Sequence, residues 1–327
     1  MLDVVIEAAI KSAIVIWALL TAFAYLTLTE RKVMGRMQAR IGPNRVGPFG
    51  FFQPVADGIK LVFKEDVIPA QADRIIHTLA PAVSIIPAVI IFAVIPIGPP
   101  VTLFGREIKL QIADINIGYL YVAAIASLAV YGIVLGGWAS NSKYSLLGAM
   151  RSSAQMISYE LAQGLAVLSV ILMAGSLSLN RIVELQLHGL WNIIPQFLGF
   201  IVYYIAGIAE TNRAPFDLPE AEGELGAGYH TEYSGFKWSA FFMAEYVNMV
   251  NISALVTVLY LGGWAPGWIF PPIWFLLKVA FLLLVFIWLR ATLPRLRYDR
   301  LMALGWKILL PLALLNLFAT ATVVALT

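Results

Sequence analysis

The 327-residue sequence contains no cysteine and only three histidines, and charged residues make up just 13% of it. Without cysteine the chain can form no disulfide bond and can hold no iron–sulfur cluster through its own thiolates. The histidines, His77, His188 and His230, lie at the ends of apolar stretches or in loops. No inward-facing pair is therefore expected to ligate a haem. Any part that this chain takes in redox chemistry is expected to proceed without a metal of its own.

Hydrophobic residues make up 60% of the sequence, and so little charge excludes an ordinary soluble domain, which has about 25% charged residues. A membrane-spanning helix needs roughly 20 mostly apolar residues. Eight such stretches fill most of the chain, at residues 4–29, 76–96, 114–136, 150–173, 190–209, 238–262, 271–291 and 304–326. The sequence therefore predicts an all-α polytopic membrane protein with eight transmembrane helices, forming a single integral membrane domain over residues 1–327.

The distribution of positive charge predicts the orientation of these helices. Met1 to Glu7 is acidic and no small-residue cleavage motif follows it, so the first stretch is expected to be a retained span. When the loops are assigned alternately to two sides, 17 of the 22 basic residues fall on one side. Cytoplasmic loops carry the excess of Lys and Arg. Both termini are therefore expected outside, with cytoplasmic loops at about residues 30–75, 210–236 and 290–303.

The first cytoplasmic loop predicts a short amphipathic helix within residues 51–66. Its apolar residues recur at helical spacing: Phe52, Val55, Ile59, Val62 and Phe63. Pro54 suits the first turn of a helix, and about a dozen residues are too few to span a membrane. The helix is expected to lie at the membrane interface or against the bundle. The Gly and Pro residues of segment 40–50, just before it, are typical of tight turns.

The second loop is acidic, with Arg213 as its one base. Asp217-Leu-Pro-Glu220 resembles a capping box that would begin a short helix. The alternative to a functional role is a solvated, well-capped surface turn. Glu220 and Glu224 would repel each other four residues apart on a helix, and cytoplasmic loops favour bases, so a funnel for protons explains more. The six acids are Glu210, Asp217, Glu220, Glu222, Glu224 and Glu232.

Two acidic residues fall inside predicted spans. Glu160 lies about ten residues into the fourth span and Glu245 about eight into the sixth, roughly 12–15 Å deep at 1.5 Å per residue. A charge there costs on the order of 2.5–3.5 kcal/mol, so the group normally faces the bundle interior. A carboxyl group in apolar surroundings can exchange protons near neutral pH. The structural alternative is a neutral acid bonded to a neighbouring helix, but the matching depth and the acidic loop favour proton transfer.

The arginines of segments 31–45 and 290–300 have two interpretations. They orient the chain and contact lipid head groups, or they form a polar mouth for an amphiphile or a docking surface for a soluble partner. Lys278, in the seventh span, could extend to the outer surface and receives no role. The sequence has no P-loop, dinucleotide-binding fingerprint or nucleophile elbow, and orientation explains the basic residues more simply than nucleic-acid binding.

Three long strings resemble segments of one known family, the H subunits of respiratory complex I, the proton-translocating NADH:quinone oxidoreductase. The resemblance covers essentially the whole chain, in order and with the expected eight spans. The first string is TERKVMGRMQARIGPNRVGPFGFFQPVADGIKLVFKED (29–66). The others are AETNRAPFDLPEAEGELGAGYHTEYSG (209–235) with FFMAEY (241–246), and LRATLPRLRYDRLM (289–302).

The resemblance implies a subunit without a redox centre in a bacterial inner membrane, with FMN and iron–sulfur clusters only in partner subunits. Such a subunit joins the peripheral electron-transfer arm to the antiporter-like membrane subunits and forms the membrane part of the quinone chamber. Quinone is then the substrate, and lipids and complex I subunits are the partners. The residues implied near the quinone path are Arg31, Arg40, Asp57, Phe241, Phe242, Arg290, Arg295 and Arg297. Those implied along the proton path are Tyr159, Glu160, Glu210, Arg213, Asp217, Glu220, Glu222, Glu224, Glu232 and Glu245.

Two alternative functions remain at this point. One is the related membrane anchor of an energy-converting hydrogenase, which has no quinone site. The intact first loop and the long match over residues 215–235 favour complex I. The other is a stand-alone ion transporter or channel, which predicts inverted repeats and broken helices at the membrane midplane. Neither feature is evident in the sequence.

Overall fold

The computed structural model describes residues 2–103, 106–217, 228–266 and 270–326. Over these residues the chain is a helical bundle in which seven helices are long and apolar enough to cross a membrane. The first six are α1 (Leu2–Met37), α3 (Arg74–Ile91), α4 (Gly118–Ala139), α5 (Lys143–Ala174), α8 (Gly235–Leu259) and α9 (Pro271–Thr292). The last passes from α10 (Tyr298–Ala303) through a π-helical turn (Leu304–Leu309) into α11 (Leu310–Leu326). The predicted all-α membrane fold is confirmed.

The fifth predicted span is the exception to the long helices. It corresponds to α7 (Phe197–Glu210), which has 14 residues and is about 21 Å long, shorter than a 30 Å hydrocarbon core. A ten-residue amphipathic helix that the sequence analysis did not predict, α6 (Leu179–His188), precedes it and buries Leu179, Ile182 and Val183. The described residues thus contain seven helices of full spanning length and one short apolar helix. Glu210, expected at the start of a loop, is the last residue of α7.

The helix α1 continues well past the predicted boundary at residue 29. The segment TERKVMGRM is helical as far as Met37, because Glu, Arg, Lys and Met are all good helix formers. The first of the predicted cytoplasmic loops therefore begins after Met37 rather than at residue 30. In that loop the predicted amphipathic helix is confirmed as α2 (Gln53–Phe63), with a proline in its first turn. Its apolar face is largely exposed, including Val55, Ile59, Val62 and Phe63.

A small hairpin between α3 and α4 departs from the all-helical expectation. Strands β1 (Val101–Leu103) and β2 (Arg106–Ile108) pair antiparallel. Three-residue strands are too short to show a period-two pattern in the sequence. Just beyond β2, the Lys109 ammonium donates a hydrogen bond to Asp114 at 2.8 Å. This bond lowers the pKa of the Asp114 carboxyl.

The most enclosed helix of the bundle is α8. In its most apolar 18-residue window 78% of the residues are buried, compared with 11–50% in the other spanning helices. It contacts α1, α3, α7 and α9 within the bundle, α2 on one side and α6 on the other. The side chains of α8 are therefore positioned by six other helices, and this helix carries Phe241, Phe242 and Glu245.

Side chains from neighbouring elements bond the backbone groups at the C-terminal end of α8. The Gln186 side chain on α6 donates to the carbonyl oxygen of Val258 at 2.9 Å and accepts from the Gly262 N–H at 3.0 Å. Asn192 donates to the carbonyl oxygen of Leu259 at 2.8 Å. The last carbonyls of a helix have no partner within the helix, so these amides complete its end.

Lys278 belongs to the same arrangement. Its ammonium donates to three carbonyl oxygens at 2.5 to 3.0 Å and lies 4.3 Å from the ring centroid of Trp191. The carbonyls belong to Leu261, Gly263 and Ala265. The side chain therefore turns inward to hold the loop after α8, rather than extending to the outer surface.

Replacing Lys278 with Met should weaken this end of the bundle, because three carbonyls would lose their common donor. An unsatisfied buried polar group costs about 1–3 kcal/mol, and less where water reaches it. We expect the variant complex, purified in detergent, to lose this subunit at a lower temperature than the wild type. Leu277→Met, at an exposed neighbour on the same helix, is the matched control. Equal thermal midpoints for the two variants would contradict the anchoring role.

Candidate functional site

A cavity of about 510 Å³ lies among α3, α4, α5, α7 and α8 and contains two of the predicted proton-path residues. Glu160 of α5 and Glu210 of α7 both line it, together with Asn248 of α8. Gln163, one turn after Glu160, is hydrogen-bonded to Glu210. Most of the remaining wall is aliphatic. Charge is poorly screened in such surroundings, and the Glu160 carboxylate interacts electrostatically with that of Glu210. We call this space the acidic cavity.

Glu245 lies in a second, narrower cleft. Glu210 and Asn248 line this cleft as well, so Glu210 contributes to both spaces, whereas Glu160 and Glu245 share neither of them. The Tyr229 hydroxyl donates to the Glu245 carboxylate at 3.1 Å. The cleft holds about 20 Å³, enough for about one water molecule. Within the described residues, Glu210 is therefore the link between the two acids that the sequence placed at matching depth.

Glu30, which the sequence analysis missed, is the centre of a buried ion cluster at the end of the bundle where α2 lies. Its side chain is 3% exposed and accepts hydrogen bonds from Arg290 of α9 and, at 2.6 Å, from the Tyr246 hydroxyl. The Arg213 guanidinium lies 3.9 Å from the same carboxylate. Removing such charges from water is expensive unless they are paired. The sequence feature that could have drawn attention to Glu30 is its position beside three bases, Arg31, Lys32 and Arg36.

Arg213 also packs against the aromatic rings of α8. Its guanidinium carbon lies 4.0 Å from the ring centroid of Tyr246 and 5.5 Å from that of Phe242. Both are cation–π contacts, which strengthen where water is excluded, and only 4% of the Arg213 side chain is exposed. The resemblance implied Arg213 for the proton path and Arg290 for the quinone path. The structure brings both to Glu30, so this cluster joins the two predicted sets.

Two further ion pairs join predicted residues that are far apart in the sequence. Arg31 of α1 donates to Asp57 of α2 at 2.8 Å, which ties the amphipathic helix to the first span. Arg295 lies 3.1 Å from Asp217, whose side chain is only 3% exposed. The first pair is partly exposed, so its contribution to stability is modest, about 0–1 kcal/mol. It nevertheless fixes where α2 lies.

Phe241 and Phe242, although adjacent, face different surroundings. Phe241 is 2% exposed and contacts the rings of Tyr229 and Tyr233. Phe242 stacks on Trp238 with ring centroids 5.1 Å apart, and it also contacts Phe23 and Tyr246. Of the two, Phe242 is the one that lies beside α1 and the ion cluster.

The remaining predicted residues lie farther from these groups. The Arg40 side chain donates to Gln38, two residues earlier, and Arg297 pairs with Asp299 at the surface. Tyr159 is completely buried, and its hydroxyl donates to the Leu301 carbonyl at 2.8 Å, which holds α5 against the last span.

Glu232 lies beside His77, whose ring stacks on Tyr233 with centroids 4.0 Å apart. Burial raises the pKa of the Tyr233 hydroxyl, which favours the neutral form of this tyrosine. Glu220, the last residue of the predicted capping box, lies outside the described residues, as do Glu222 and Glu224.

Comparison with known proteins gives a consistent result. The sequence model of the NADH dehydrogenase family matches residues 10–321. The chain is 53% identical to an H-type NADH-quinone oxidoreductase subunit of Geobacter metallireducens, over 99% of this chain and 98% of that protein. It is 57% identical to the H-type subunit of Protochlamydia amoebophila, over 92% of each chain. It is 54% identical to subunit 8 of the Thermus thermophilus enzyme, over 97% of this chain and 87% of that protein. The chain therefore belongs to the NADH dehydrogenase family, among the H-type membrane subunits of NADH-quinone oxidoreductase.

Proposed function

We propose that this chain forms the membrane part of the quinone chamber of its NADH:quinone oxidoreductase and couples quinone reduction to proton translocation. The observation that supports this is the continuity between the ion cluster and the acidic cavity. Arg213 pairs with Glu30 in the cluster, and three residues earlier Glu210 lines the cavity. A change of charge at the chamber is thus three residues along the chain from a carboxyl group inside the membrane.

The coupling works through electrostatics. Reducing a quinone to a quinol consumes protons as well as electrons, so the charge beside Arg213 and Arg290 changes during turnover. At short range in apolar surroundings, such a change alters the affinity of nearby carboxylates for protons. The proton affinity of Glu210 changes first, and this change in turn alters the proton affinities of Glu160 and Glu245. The chain holds no redox centre in this proposal, and FMN and iron–sulfur clusters belong to partner subunits.

The quinone mouth lies between α1 and α2. The exposed apolar face of α2, with Phe51 and Phe52 before it, borders the lipid. The ring centroids of Phe51 and Tyr25 of α1 are 5.0 Å apart. Behind this opening lie Phe242 and the ion cluster. A long isoprenoid tail fits the apolar rim, while the arginines attract the polar head. High identity to NADH-quinone oxidoreductase subunits over nearly the whole chain favours this function over a hydrogenase anchor or a stand-alone transporter.

The proposed orientation is the one that the distribution of basic residues predicts. In a bacterial inner membrane both termini lie outside, and α2 and the ion cluster lie at the cytoplasmic side. The peripheral quinone-module subunits then dock on that side, while antiporter-like subunits and lipids contact the exposed faces of the spans.

Enlarging Phe242 tests the mouth. In Phe242→Trp the larger ring should narrow the space beside the ion cluster and raise the apparent KM for a long-tailed quinone several-fold. Asp57→Asn should act in the same direction, because it releases α2 from Arg31. The control is Phe281→Trp, on an exposed face of α9. Steady-state kinetics with long-tailed and short-tailed quinones measure the effect. Unchanged KM values in both test variants would contradict this placement of the mouth.

A further inference from the structure

The acidic cavity extends beyond its carboxylates toward the outer face of the membrane. Along α5 its wall runs from Glu160 to Leu168, and on α4 it reaches Tyr119, the second residue of that helix. Glu160 lies about 21 Å before the outer end of α5 at 1.5 Å per residue. The Tyr119 N–H donates to the Leu177 carbonyl just past that end. The cavity therefore covers much of the outer half of the bundle.

Three tyrosines lie where the cavity approaches the outer loops: Tyr119, Tyr203 and Tyr260, which we call the tyrosine layer. Tyr119 and Tyr203 line the cavity together with Glu160 and Glu210. The rings of Tyr203 and Tyr260 have centroids 5.8 Å apart. Gln163 bonds both Glu210 and Tyr203. A hydroxyl both donates and accepts hydrogen bonds, so this layer can pass a proton between water molecules.

Charged groups lie in the segment that leads into α4. Asp114, four residues before α4, is paired with Lys109 and also bonds Asn180 and Gln111. Because the pKa of Asp114 is lowered, it stays ionised at neutral pH and favours a positive charge nearby. The carboxylates of Glu107 and Glu184 also lie close enough to Lys109 to affect it electrostatically. The outer mouth thus carries Asp114, Glu107 and Glu184, with Lys109 paired to Asp114 and Arg181 paired to Glu184.

We infer that the acidic cavity opens through the tyrosine layer to the outer face, so that protons leave the membrane within this chain. The inference rests on the proposed proton coupling and adds a release route to it. Protonated Glu210 or Glu160 gives its proton to water in the cavity, and the proton passes by way of the Tyr119 hydroxyl to water beside Asp114. The carboxylate left behind regains a proton from the cytoplasmic side. No other bond is made or broken.

Thiol labelling tests the route directly, because the chain has no cysteine of its own. Ala123 lines the cavity, whereas its neighbour Ala124 is exposed on another face of α4 at the same depth. In right-side-out membrane vesicles holding the intact complex, a charged, membrane-impermeant thiosulfonate added outside should label Ala123→Cys at least about tenfold faster than Ala124→Cys. Equal rates, or an unreactive Ala123→Cys, would overturn the inference.

Pumping measurements separate this inference from the proposed function. Tyr119→Phe removes the hydroxyl alone and should lower the number of protons released outside per quinone reduced. Tyr121→Phe, on the same helix but outside the cavity lining, is the control. If Tyr119→Phe pumps at the normal ratio while Gln variants of the cavity acids do not, the release route is wrong and the coupling stands. If those Gln variants also pump normally, the coupling itself is wrong.

Discussion

Glu160→Gln and Glu245→Gln should each leave the complex assembled but lower coupled quinone reduction and proton pumping by on the order of tenfold or more, a typical loss for a proton-transferring group. Gln keeps the size and hydrogen-bonding ability of Glu but cannot release a proton. Glu210→Gln should be at least as damaging, because Glu210 lines both the acidic cavity and the cleft of Glu245. Proton uptake into vesicles, measured beside NADH:quinone turnover, gives the result.

Two comparisons make this result specific. Electron transfer from NADH to an artificial acceptor in the peripheral arm should survive in every variant, and Glu7→Gln, at an exposed acid near the start of α1, should behave as the wild type. If Glu160 and Glu245 act in series through Glu210, the two substitutions together should cost less than the sum of the single effects. A double Gln variant that pumps at the normal proton-to-electron ratio would exclude a proton relay through these groups.

Glu30→Gln should be the most damaging single change at the ion cluster. It would remove the carboxylate that Arg213 and Arg290 share, and removing one partner of a buried ion pair costs about 3–5 kcal/mol. We expect little assembled complex in the membrane, and low quinone reductase activity in whatever assembles. Native gel electrophoresis of solubilised membranes measures the first quantity, and NADH:quinone turnover per assembled complex measures the second.

A second substitution tests whether charge balance is the cause. Glu30→Gln combined with Arg213→Gln removes one charge of each sign, so assembly should recover substantially even if turnover does not. Arg181→Gln breaks an exposed pair with Glu184 and should change assembly little, because such pairs contribute about 0–1 kcal/mol. A double variant that assembles no better than Glu30→Gln alone would show that the carboxylate has a role other than neutralising Arg213.

The spans were predictable because a backbone in lipid must satisfy its own hydrogen bonds, which permits little besides apolar helices. That rule does not apply where the chain leaves the lipid. The helical continuation of α1 past residue 29, the late start of α7 at Phe197, the α6 helix and the β1–β2 hairpin all lie at or near the membrane surfaces. There the polar residues of a helix and those of a loop have similar composition, so hydropathy cannot place the boundaries.

Residues of the candidate site were predictable from the sequence only where a single residue was unusual for its own segment. Glu160 and Glu245 stood out because each is an acid within an apolar stretch. Glu210 lost that signal because it fell at the edge of a stretch and was counted with the loop. Glu30 and Arg290 are 260 positions apart, and no local pattern links them. Their pairing is a property of the packed bundle and appears only when α1 and α9 are brought together.

The enclosure of α8 has a consequence for how the protein is made. This helix is the least apolar of the seven spans and carries buried Asn251, Ser253 and Thr257. Asn251 bonds a carbonyl of α3, whereas the two hydroxyls bond the backbone of α8 itself. When ribosomes deliver α8 to the membrane, α1, α3 and α7 have already been inserted and can receive it, but α9 has not yet been synthesised. The side of α8 that packs against α9 therefore stays uncovered until α9 is made. By then the ion cluster has Glu30, Arg213 and Tyr246, and Arg290 completes it last.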